Sequence, residues 1–186
     1  MTRETPGIAV RPIAPAEAEA RESELAELLA DAVASGASVN FMADFTYADA
    51  LAFWRGQFAG LADGSRLLFV ADDGQRLLGT VVLTFAPQPN APHRAEIGKM
   101  LVHSGARRQG LGARLLTAAE QAAAGNGRTL LLLDTASGSA GEQLYRRCGW
   151  TEYGVVPDHS HTPDGLLAPT TFFFKRLPGA NPPFRA

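Results

Sequence analysis

The stretch Val102-His-Ser-Gly-Ala-Arg107-Arg108-Gln109-Gly110-Leu111-Gly112-Ala113 carries the clearest chemistry in this chain. An apolar run, Ala95–Val102, leads into two adjacent arginines and two glycines, and helix-forming residues follow at once. A helix starting at Leu111 presents unpaired N–H groups and the positive end of its dipole, which suits a phosphate or pyrophosphate. Arg107 and Arg108 would add charge-assisted contacts, and Gly110 and Gly112 would let the backbone approach a ligand. An ordinary glycine-rich turn with solvated arginines would use the same residues. Two nucleotide folds are excluded. A dinucleotide site requires a third glycine where Leu115 stands, together with a ribose-binding acid, and a P-loop requires a Gly-Lys-Ser/Thr step that is absent.

The elements that must position this loop follow from periodicity. Ile8–Pro12 fits a short strand that Pro12 ends, and Glu17–Ala34 reads as one helix with Leu25, Leu28, Leu29 and Val33 on a stripe. Thr46 is placed to cap a second helix carrying Leu51, Trp54 and Phe58. Leu67–Ala71 and Leu77–Phe85 flank the turn Asp72-Asp73-Gly74-Gln75, a hairpin signal. Ala95–Val102 then precedes a helix over Leu111–Ala124, a strand over Leu130–Asp134, a helix over Ala140–Cys148 and a strand over Trp150–Val156. Ser139 and Glu142 form a Ser-x-x-Glu capping pattern. Pro157–Pro169 reads as a loop, Thr170–Lys175 as a last strand and Pro178–Ala186 as a frayed tail. The helical crossover should make Ala95–Val102 and Leu130–Asp134 parallel neighbours, so a ligand would sit near their carboxyl ends.

Composition limits the partners. The 186 residues are 46% apolar and 19% charged, which is one globular domain's worth, with a core expected over about residues 8–177. A net charge of -2 gives no basic surplus for nucleic acid. No run approaches the roughly 20 apolar residues of a membrane span, and the first residues lack signal-peptide order. The single Cys148 excludes an internal disulfide and a cysteine-rich metal site; a cytoplasmic protein without a metal is the expectation.

Arg107-x-x-Gly110-x-Gly112 after a strand, with Leu144-Tyr145-Arg-Arg-Cys-Gly149-Trp150 downstream, resembles the GCN5-related N-acetyltransferases (GNAT). Arg94-Ala-Glu96, Leu132-Leu133-Asp134-Thr135 and Thr162-Pro163-Asp164-Gly165 with Lys175 are similar to the tabtoxin resistance subgroup of that superfamily. The resemblance implies an α/β fold: a mixed, mostly antiparallel sheet with a central parallel strand pair and flanking helices. It implies acetyl-CoA as co-substrate, bound by Met100, Leu101 and Val102 along the pantetheine arm. Arg107, Arg108, Gln109, Gly110, Leu111, Gly112 and Ala113 would hold the pyrophosphate. Tyr145 would be the acid that protonates the departing thiolate.

An alkyl amine with a pKa of about 10 is under about 0.1% unprotonated at pH 7, so attack requires a base. Glu96 and Asp134 are the candidate carboxylates, either taking the proton directly or through a water, or holding the ammonium by charge. The expected acceptor is a small-molecule amine. A protein or peptide amine and a non-catalytic acyl-CoA sensor stand as alternatives, and a homodimer stays open. His103 is expected to face solvent, and His93, His159 and His161 make no convincing metal pattern. Cys148 is expected to pack rather than react, and Phe41, Met42 and Phe45 either line an acceptor pocket or, as is usual for aromatic residues between helices, belong to the core.

Overall fold

The computed structural model describes residues 7–37 and 41–178; most of the expected frayed tail lies outside them. Seven strands form one sheet: β1 (Ala9–Pro12), β2 (Arg66–Asp72), β3 (Leu77–Phe85), β4 (Arg94–Val102), β5 (Leu130–Ala136), β6 (Thr151–His161) and β7 (Leu167–Arg176). Their order is β1-β2-β3-β4-β5-β7-β6, and among the described residues only β4 and β5 run parallel. The helices are α1 (Pro15–Ala20), α2 (Glu22–Ala34), α3 (Tyr47–Ala62), α4 (Leu111–Gly125) and α5 (Ala140–Arg147). This is the expected mixed sheet with a central parallel pair and flanking helices. Among the described residues no helix is long and apolar enough to cross a membrane.

The central strands read as continuous apolar runs because both of their faces are covered. Phe69 and Ala71 of β2 pack toward α4, with Leu111, Leu115 and Ala119. Leu68 and Val70 point the other way, to Leu25, Leu28 and Leu29 of α2 and Trp54 of α3. Local signals start the helices as anticipated. Thr46 Oγ1 accepts from the Asp49 amide at 3.2 Å, and Asp49 Oδ2 accepts from the Thr46 amide at 2.8 Å, a reciprocal cap. At α5 the exchange is displaced by one residue: Ser139 Oγ accepts from the Glu142 amide at 3.1 Å, while the Glu142 carboxylate accepts from Gly138.

Two expectations are corrected. The single helix over Glu17–Ala34 is two helices meeting at Arg21, whose φ of -109° and ψ of 23° leave the helical region. Arg21 is drawn there by ion pairs, donating to Asp72 at 2.6 Å and to Glu24 at 2.7 Å. The loop over Pro157–Pro169 is instead mostly strand, since β6 runs to His161 and β7 begins at Leu167. Pairing skips from Val156 to Ser160, so Pro157 lies in a bulge of an edge strand, where its missing N–H breaks no ladder.

Asp72 joins β2 to the N-terminal elements, accepting from Arg21 at 2.6 Å, Arg11 at 2.8 Å and the Gly74 amide at 2.9 Å. Burial alone would raise its pKa; those hydrogen bonds outweigh it and hold the carboxyl at about 2, below its usual 3.8. The unfolded chain therefore binds this proton more readily than the folded one. The stabilisation is complete above the unfolded value and disappears as pH falls through about 2. It amounts to about 2 kcal/mol by linkage. Asp72→Asn should lower the urea midpoint at pH 6 and flatten its decline between pH 4 and pH 2; an unchanged midpoint would show the network to be inert.

Candidate functional site

Parallel pairing between β4 and β5 covers only Arg94–Leu130, Ala95–Leu131 and Glu96–Leu132. Beyond Glu96, β5 continues against β7 while β4 stays with β3, and a cleft opens between the two strands. A non-glycine residue at positive φ, Lys99 at 45°, marks the change. Pairing with β3 slips there, and Thr80 Oγ1 donates to the Lys99 carbonyl at 3.0 Å. A one-residue slip reverses every later side chain. Ile97 accordingly packs toward α4, whereas Leu101 packs toward α2 and α3.

The cleft encloses about 1920 Å³. That exceeds the roughly 300–1,000 Å³ usual for a small-ligand pocket and suits a nucleotide-sized one. Met100, Leu101 and Val102 form part of one wall, and Asp134 and Tyr145 lie on the other. The turn into α4 closes one end. Arg108 at φ 60° and Gly110 at φ 77° give it its shape. A Cβ at Gly110 would meet nothing within 4 Å, so conformation alone calls for glycine there. Gly112 has a different reason: a Cβ on it would lie 2.8 Å from Leu144 Cδ2, so its smallness seats α5 against α4. Gly110, Leu111, Gly112 and Ala113 all line the cleft. The α4 first-turn amides have no partner within the helix, which fits the demand of a pyrophosphate.

The two arginines differ. Arg107 is tethered, donating from Nε to the Val102 carbonyl at 3.2 Å and from its other end to the Ser35 hydroxyl. Arg108 also lines the cleft and makes no hydrogen bond or ion pair among the described residues, which leaves its guanidinium available to an anion. Gln109 is exposed and outside the cleft wall.

Tyr145 is 6% exposed, with its ring centroid 6.2 Å from Trp150 and 6.0 Å from Phe173. Among the described residues its hydroxyl makes no hydrogen bond. Burial raises its pKa above the usual tyrosine value, and the charge of Asp134 and the neighbouring Cys148 add to this, so the phenol remains a proton donor. Glu96 and Asp134 share a sheet face, because Glu96 is in register with Leu132 and Asp134 follows two residues later. Only Asp134 lines the cleft; Glu96 is exposed just before the strands part.

Lys99 had no distinguishing sequence signal beyond being one of two lysines. Its ammonium lies 4.9 Å from the Phe53 ring centroid and 5.2 Å from that of Phe41. Burial lowers its pKa, partly opposed by Asp134. Phe45 also lines this end, with the Phe41 ring tilted against it, 4.1 Å between centroids, whereas Met42 is exposed. The Ala43 amide donates to the Pro163 carbonyl at 2.9 Å, joining the segment after α2 to the β6–β7 hairpin.

His103 is partly exposed, and its Nδ1 accepts from the Gly105 amide at 3.1 Å. His159 lines the cleft and stands edge-on to Phe172, 5.2 Å between centroids. Cys148 has a raised pKa through burial and Glu120, which suits packing over nucleophilic chemistry. Lys175, noted for the subgroup likeness, donates to Glu120 at 2.7 Å and to the Cys148 carbonyl at 2.8 Å.

The fold is shared with many acetyltransferases. Over 97% of this chain and 99% of the other, it superposes on yncA of Salmonella typhimurium, a structure containing the cofactor acetyl-CoA, with a TM-score of 0.74 and 18% identity. A ribosomal-protein-alanine N-acetyltransferase from Brucella melitensis matches over 91% of this chain and 99% of its own, with a TM-score of 0.73 and 23% identity. A protein provisionally named phosphinothricin N-acetyltransferase matches over 92% and 99%, with a TM-score of 0.71 and 22% identity. The model of the acetyltransferase (GNAT) family matches residues 17–150. This chain therefore belongs to the GNAT family and is an acyltransferase that takes its acetyl group from acetyl-CoA.

Proposed function

We propose that this protein transfers the acetyl group to the primary amine of a small molecule by direct attack. The observation that carries the reading is the meeting of Asp134, Lys99 and Tyr145 in the cleft that begins at the α4 turn. Asp134 influences the proton affinities of both Lys99 and Tyr145. The Ala43–Pro163 hydrogen bond joins two segments that line the same cleft, which favours a compact acceptor over a protein chain.

Asp134 holds the incoming ammonium and accepts its proton, with Glu96 on the same face serving through a water. The freed amine nitrogen bonds to the acetyl carbon, the carbon–sulfur bond breaks, and Tyr145 gives its phenolic proton to the departing thiolate; the second proton shed by the nitrogen restores the phenol, and Asp134 releases the first to solvent. The backbone of Met100, Leu101 and Val102 binds the pantetheine arm. Arg108, Gly110, Leu111, Gly112 and Ala113 bind the pyrophosphate, with Arg107 and Gln109 shaping that turn.

Thiol release from acetyl-CoA, measured with amino acids, polyamines, aminoglycosides and peptides, tests the reading. At least one small amine should turn over with kcat/KM about tenfold or more above any peptide. Turnover confined to peptides would replace the acceptor class, and coenzyme binding without turnover across the panel would favour a sensor.

A further inference from the structure

The turn that precedes α4 is anchored by the C-terminal end of α2, much of which lines the cleft. Asp31 accepts from the Ser104 amide at 2.7 Å through Oδ2 and from the Ser104 hydroxyl at 2.6 Å through Oδ1. The His103 Nε2 lies 3.9 Å from the same carboxylate. One helical turn further along, the Ser35 hydroxyl accepts from Arg107. Asp31 of α2 and Ser35, which follows that helix, thus hold both ends of the segment from His103 to Arg107. Asp31 itself does not line the cleft.

We infer that Asp31 is a positioning residue for acetyl-CoA, setting the geometry of the pyrophosphate turn through Ser104 without touching the ligand. The inference rests on the reading that the α4 turn takes the coenzyme's phosphates. Geometry and charge make opposite predictions here. A carboxylate near a phosphate site repels the ligand, so charge alone implies tighter binding whenever Asp31 is neutralised. Positioning implies weaker binding only when the hydrogen bonds are lost. Asparagine can still accept from the Ser104 amide and donate to its hydroxyl, whereas alanine can do neither.

Isothermal titration of CoA and of pantetheine against the full chain separates these effects. Wild type should bind CoA at least about tenfold more tightly than pantetheine, which lacks the phosphates. Equal binding would mean that the pyrophosphate reading itself has failed. Given that preference, Asp31→Ala should weaken CoA about tenfold with its ligand-free melting temperature within a few degrees of wild type. Asp31→Asn should stay within about threefold of wild type. Ser35→Ala removes the other tether from an exposed position and should weaken CoA about threefold even if Asp31→Ala folds poorly. CoA binding that is unchanged or tighter in Asp31→Ala, or equally weakened in Asp31→Asn, would overturn the inference. If Asp31→Ala does not fold, unchanged CoA binding in Ser35→Ala would overturn it.

Discussion

Tyr145→Phe is expected to lower kcat by about 100-fold or more while leaving CoA affinity near wild type, an effect in the range of general acid catalysis. The change deletes one oxygen from a ring that packs between Trp150 and Phe173, and those contacts survive it. No described residue loses a hydrogen-bond partner, because the hydroxyl has none among them. Folding should therefore tolerate the change, with a melting temperature within a few degrees of wild type. The chemistry should not tolerate it. Burial and the nearby Asp134 keep the phenol protonated, and the thiolate would leave without that proton. Full turnover in a stable Tyr145→Phe protein would remove Tyr145 from the acid role.

Asp134→Asn should have the next largest effect, a fall of about 100-fold in kcat/KM at pH 7 with a changed pH dependence. Without the carboxylate, the reaction must rely on the amine that deprotonates in solution. For an amine with a pKa of about 10, that fraction rises about tenfold per pH unit from pH 7 to pH 9. The variant's rate should follow the same slope, whereas the wild type should rise less steeply. Removing the charge also lowers the Lys99 pKa further and lets that of Tyr145 relax downward, though burial still holds it high. Glu96→Gln should have a smaller effect, since Glu96 is exposed and outside the cleft wall. Profiles and acceptor affinities unaltered in both variants would remove the carboxylates from the mechanism.

The elements that lead to the site were legible because their signals are local. The cap at Thr46, the glycine turn before Leu111 and the crossover that makes β4 and β5 parallel depend on residues close in sequence or on chain handedness. The break at Arg21 was not legible, because Asp72 is 51 residues away and the local pattern is strongly helical. The extension of β6 past Pro157 was hidden for a similar reason: only the sheet order places that proline in an edge strand.

The same division applies within the site. By itself the sequence determined the arginine–glycine turn before Leu111, the family resemblance, and Tyr145 and Asp134 as candidates, since a motif is a short-range arrangement of residue types. Only the tertiary structure decided how those residues divide their work. It gave Gly112 to Leu144, tethered Arg107 to Val102 and Ser35, and placed Asp134 but not Glu96 in the cleft. It also turned Lys99 out of the β4 alternation and brought Asp31 against Ser104 in the turn before α4. The physical reason is that each outcome depends on partners distant in sequence, or on a one-residue slip in strand register that residue types alone do not specify.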